Sequence, residues 1–101
     1  MPKQYLYLLK LTPRLLDDRN WSADDGEVVE EHLKRLQEAA KQGRVILAGR
    51  TQEPSKTTFG LVIFEAEDDA TARSFMESDP AVAAGVMTAT LHPYAVAALR
   101  K

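Results

Sequence analysis

Few side chains in this sequence are suited to proton chemistry near neutral pH, and His32 and Asp79 are the two that chemistry would pair. Imidazole has an unperturbed pKa of about 6.5, so His32 can take up and release a proton without a metal or a thiol. To act as a general base it needs an orienter, a carboxylate that accepts the Nδ1–H, fixes the tautomer and leaves Nε2 free. Asp79, in the step Ser78-Asp79-Pro80, is the candidate. Each residue also has a purely structural reading. A histidine beside an apolar stripe is often only hydrogen-bonded there, and an aspartate before proline is a common helix cap worth ~1 kcal/mol. Ser78 is the adjacent hydroxyl, but no G-x-S-x-G elbow surrounds it, which leaves it as a lining residue at most. Arg50, after the small Ala48-Gly49 pair, can hold a substrate carboxylate in a bidentate fork. Gly49, Tyr7, Arg14 and Trp21 are expected to line the same cleft. No glycine-rich phosphate loop occurs around Gly49 or Gly60. His92 and His32 form no i, i+3 or i+4 ligand pair, so neither a metal nor a cofactor is expected.

These residues must be positioned by regular elements, and the pattern supplies them. Residues 3–11 (KQYLYLLKL) alternate Tyr5, Tyr7, Leu9 and Leu11 against Leu6 and Leu8, a strand covered on both faces that ends at Thr12-Pro13. Residues 14–20 read as a partly mobile connection with Leu15 and Leu16 tucked under neighbours. A helix starts near Ser22, whose hydroxyl can cap it, with Asp24, Asp25 and Glu27 at the positive end of its dipole. Val29, Leu33, Leu36 and Ala40 follow the helical period as the buried stripe, with Glu30-Lys34 and Glu31-Arg35 as outer pairs. Gly43 ends the helix, Val45 to Ala48 is a strand closed by Gly49, and residues 51–56 are a loop. Thr57 to Phe64 is the third strand. Asp68 caps a second helix carrying Ala70, Ala72, Phe75 and Met76. Pro80 opens one further turn, and Val86 to Leu91 is the last strand, which His92 terminates.

The order strand, helix, strand, strand, helix, strand is a pair of split βαβ halves. It predicts an α+β, ferredoxin-like domain with both helices on one face of a four-stranded antiparallel sheet. With 101 residues the chain forms one domain, 1–101, able to bury roughly two thirds of its unfolded surface. Because the strands are apolar on both sides, the helix-free face would leave an exposed patch, and a homodimer packed through that face is expected. A net charge of −2 lacks the basic excess of a nucleic-acid binder. No segment is long and apolar enough to span a membrane. The absence of cysteine, with no secretory pattern at Met1-Pro2-Lys3, points to the reducing cytoplasm.

Taken together, YLYLLKL, the histidine-bearing EEHLKRLQEAAKQGRVILAGR, the strand-helix run from FGLVIFEAEDD onward and above all SDPAVAAG resemble the YCII-related (YciI-like) proteins from Tyr5 to about Tyr94. The resemblance implies a dimeric α/β barrel of ferredoxin-like subunits with an active site built on a histidine and an aspartate, here His32 and Asp79. Most members have no assigned reaction. One type acts in chloroaromatic breakdown as a dehydrochlorinase on a muconate-like acid, which implies proton abstraction from a small-molecule acid. The linker from Thr12 to Trp21 is longer than the family pattern. Two readings stay open: an enzyme that isomerises a small carboxylic acid or eliminates HX from it, and a non-catalytic dimeric module that binds a metabolite or a partner protein.

Overall fold

In a computed structural model the chain follows that order: β1 (Lys3–Leu11), α1 (Ala23–Lys41), β2 (Val45–Arg50), β3 (Gly60–Ala66), α2 (Asp69–Glu77), a one-turn α3 (Pro80–Ala83) and β4 (Met87–Pro93). The structure describes residues 2–54 and 56–100; Met1, Ser55 of the expected loop and Lys101 lie outside them. The strands form one antiparallel sheet in the order β2-β3-β1-β4. This is the ferredoxin-like arrangement.

Alternation along β1 sends Tyr5, Tyr7 and Leu9 to the helix side, where they join Val62, Phe64, Leu36, Ala39, Ala72, Phe75 and Met76 in one core. Aromatic rings dominate its centre: Tyr7 meets Phe64 edge-on at 5.6 Å between centroids, and Phe64 lies 4.8 Å from Phe75. The opposite face carries Leu6 and Leu8, in register with Ile63 and Leu61, beside Leu47, which is 53% exposed. Among the described residues no helix packs on that face; Ile63 is buried there, and Leu6, Leu8 and Leu61 are half-buried.

Several expectations are corrected. The helix α1 is turned relative to the expected stripe: Asp25, His32, Leu36 and Ala39 are buried, whereas Ala40 is exposed and Leu33 is 50% exposed. The difference arises because two polar residues hold seats on the packed face, so apolar spacing alone misjudges its direction. Neither Glu30-Lys34 nor Glu31-Arg35 closes an ion pair among the described residues. The linker carries two 3-10 turns, Pro13–Leu16 and Asp18–Asn20, which the sequence pattern did not specify. Leu15 is fully buried, and the Trp21 indole donates to its carbonyl at 3.0 Å. The strand β2 continues through Gly49 to Arg50, and β3 begins at Gly60 instead of Thr57. His92 does not terminate β4, because it pairs with Leu6 and the next residue, Pro93, still pairs with Tyr5 at the sheet edge.

Candidate active site

Three elements each supply one side chain to a single buried cluster. The first is Asp79, the N-cap of α3, whose Oδ1 accepts the Ala81 amide at 3.0 Å while Pro80 supplies the first helical residue. The second is His32, on the packed face of α1 and 5% exposed, with Nδ1 2.6 Å from Asp79 Oδ1. The third is Tyr7, in the middle of β1, whose hydroxyl donates to Asp79 Oδ2 at 2.6 Å. Asp79 is 0% exposed, so its structural and chemical readings coincide: the same carboxylate caps the turn and meets the histidine.

Burial pushes the Asp79 carboxyl up, but the hydrogen bonds from His32 and Tyr7, the imidazole charge and the Ala81 amide outweigh it and hold the group below its ordinary value. Burial, followed by the charge and hydrogen bond of Asp79, pushes the Tyr7 phenol well above its usual range, and the nearby Arg35 charge opposes only part of this. An ionised carboxylate accepts and cannot donate, so the Tyr7 hydroxyl proton and the His32 Nδ1–H both point at Asp79. That arrangement selects the Nδ1–H tautomer when the ring is neutral, and Nε2 then presents a lone pair. Among the described residues Nε2 has no hydrogen-bond partner, and it is not sealed from solvent.

His32 lines a cleft of about 650 Å³ between α1, the second 3-10 turn and the end of the sheet where β2 and β3 meet. Its walls are mostly apolar, with Val29, Leu33, Leu9 and Phe59 among them. Asp18, Gln37, Arg50 and Thr58 add polar groups. Gly60 forms part of the floor; a Cβ there would lie 3.3 Å from the Gly49 carbonyl oxygen and 3.6 Å from Leu9 Cβ, closer to the former than ordinary packing allows.

The structure places Arg50, Gly49 and Trp21 on the same cleft as His32. It does not bring the others. Tyr7 lies behind the carboxylate with no exposed surface, so it touches Asp79 rather than a ligand. Arg14 turns to the helix start, where both terminal nitrogens reach Asp25 at 3.1 Å, and Asp25 also closes the capping box with Ser22. Ser78 faces a shallower hollow beside Arg73 and Glu77, accepting from Arg35 at 2.8 Å and donating to the Ser74 carbonyl. Sequence reasoning missed Asp18, Gln37, Thr58 and Phe59. It also misassigned Val29, Leu33 and Ala40, whose apolar spacing marks the cleft wall, not the core. Among the described residues no group of three metal-ligating side chains occurs.

The sequence profile of the YCII-related domain matches residues 4–91. The chain belongs to the YCII-related domain family. No curated protein matches this YCII-related domain. Among solved structures it is similar to 5-chloro-2-hydroxyhydroquinone dehydrochlorinase of Burkholderia phenoliruptrix in complex with 2,5-dihydroxybenzoquinone. The likeness has a TM-score of 0.60 at 23% identity over 91% of this chain and 93% of that one. At this identity it is a likeness of fold.

Proposed function

We propose that this YCII-related domain is an enzyme that abstracts a proton from a small carboxylic acid, with His32 as the base and Asp79 as its orienter. The observation that carries the reading is the 2.6 Å contact between His32 Nδ1 and Asp79 Oδ1, with the ring's other nitrogen left for the cleft. In this scheme Nε2 takes the proton from a carbon next to a carbonyl, and the C–H electron pair moves into the carbonyl as an enolate. The enolate then regains a proton at another carbon, completing an isomerisation, or expels halide from the neighbouring carbon, completing HX elimination. Arg50 at the mouth holds the substrate carboxylate, and the apolar walls keep water from the carbanion. The scheme uses no cofactor. The dehydrochlorinase likeness supports elimination chemistry, and its bound quinone supports a small-molecule ligand.

The test is turnover of a panel of unsaturated and halogenated acids by His32→Ala and Asp79→Asn, each first checked for folding. We expect a loss of roughly 10²–10⁴-fold in either variant, the usual contribution of a positioned base. Full activity in both folded variants would overturn the pair as catalytic.

We also propose that two copies pack through the helix-free sheet face to make the dimeric α/β barrel. The half-buried Leu6, Leu8 and Leu61 and the half-exposed Leu47 on that face support this, since apolar side chains left partly open beside one another favour a covering partner. A dimer mass at micromolar concentration that falls to the monomer mass in Leu47→Glu is expected; a monomeric wild-type chain would contradict it. No helix among the described residues is long and apolar enough to cross a membrane, and the fold carries no disulfide of the kind that staples small secreted domains, so the cytoplasm is the compartment we propose.

A further inference from the structure

We propose that Tyr7 is a positioning residue for His32: by donating to Asp79 it fixes the plane of the carboxylate and limits how strongly that carboxylate pulls on the imidazole. The proposal rests on the His32–Asp79 reading but concerns the ring itself, not turnover. Two rotatable bonds, Cα–Cβ and Cβ–Cγ, set the plane of the two Asp79 oxygens relative to the backbone. The cap bond from Ala81 and the contact with His32 both fall on Oδ1. Among the described residues only Tyr7 holds Oδ2, so three donors on two oxygens define the plane, and turning the carboxylate out of it breaks at least one of these bonds. Tyr7 is itself fully buried on a central strand, edge-on to Phe64 at 5.6 Å and to Phe75 at 6.2 Å.

The electrostatic consequence follows from charge sharing. A carboxylate that binds a phenol O–H through one oxygen offers less negative charge to a partner on the other. Without Tyr7, the full charge of Asp79 faces the ring and favours its protonated form. The charged and titratable groups around His32 are Asp79 from the α3 cap, Tyr7 from β1, Arg35 one turn along α1, and Asp18 and Arg50 across the cleft. Of these, Tyr7 alone donates to the same carboxylate as His32.

The experiment follows the His32 Cε1–H signal against pH in the ligand-free protein. In Tyr7→Phe the titration curve is expected to move to higher pH. In a chain carrying 3-fluorotyrosine at position 7, whose phenol donates more strongly with its packing kept, the curve is expected to move to lower pH. Tyr5→Phe is the control: it removes a similar hydroxyl from the same strand face and leaves the His32 curve in place. Curves that coincide in the wild type and the fluorotyrosine chain would overturn the proposal even if Tyr7→Phe failed to fold. A shift of equal size in Tyr5→Phe would also overturn it, because the effect would then belong to the core in general. A turnover assay that found no reaction would count against the enzyme reading alone.

Discussion

Tyr5 and Tyr7 stand two residues apart on the same face of β1, and each donates to an aspartate at a helix start over 2.6 Å. The two pairs look alike but do different work. At α2 the duties are divided: Asp68 caps the helix through the Thr71 amide, while the neighbouring, exposed Asp69 takes the Tyr5 hydroxyl. At α3 one buried residue, Asp79, caps the turn, takes the Tyr7 hydroxyl and meets His32. The hydrogen bond to Asp69 leads the causes that push the Tyr5 phenol up to about 12, whereas burial leads for Tyr7 and drives it further. A carboxylate shared by three donors and removed from water differs from one that merely anchors a tyrosine at the surface. That concentration of duties marks the candidate site.

The comparison breaks most sharply at the carboxylates. Replacing Asp79 by Ala orphans His32, Tyr7 and the Ala81 amide together, and is expected to cost roughly 3–5 kcal/mol, the range for breaking a buried pair from one side. Asp69→Ala is expected to change stability little, both being read by urea denaturation. Equal losses would erase the distinction. Next come the hydroxyls: Tyr7→Phe strips a buried acceptor of its partner and is expected to cost about 1–3 kcal/mol, with Tyr5→Phe costing clearly less by the same measurement.

The smallest effect is in acid. The Asp79 pKa is lowered on folding, so its stabilisation is present above the ordinary carboxylate value of 3.8 and is lost as pH falls through the folded value. Asp25, held low chiefly by Arg14, contributes with the same sign. Asp79→Asn is therefore expected to flatten part of the fall in stability below pH 3.8, the rest remaining with the other lowered carboxylates, Asp25, Asp17 and Asp68. An unchanged acid limb would mean that Asp79 is not held ionised.

Much of the fold and half of the site were legible in the residues. The element order, the two-faced β1 and the Asp-Pro step follow from local rules that the structure obeys, and they place His32 and Asp79 as the pair to examine. The angular position of α1 was not legible. The packed face includes Asp25 and His32, which are stable there only because Arg14 and Asp79 come from elsewhere in the chain. No window of sequence contains those partners. Leu33 and Ala40, read as core by their spacing, instead border the cleft. For the same reason Tyr7 was seen as a wall of the cleft and not as the support of Asp79.

Tyr7 and Asp79 stand 72 positions apart, and His32 and Asp79 stand 47 apart. Only the Asp79–Ala81 cap is local; the full cluster needs β1, α1 and the α3 turn together. Its assembly is a long-range event, completed only when both ends of the chain have met around the same carboxylate. A loosening of the tertiary packing would thus dismantle the cluster even where the helices themselves persisted.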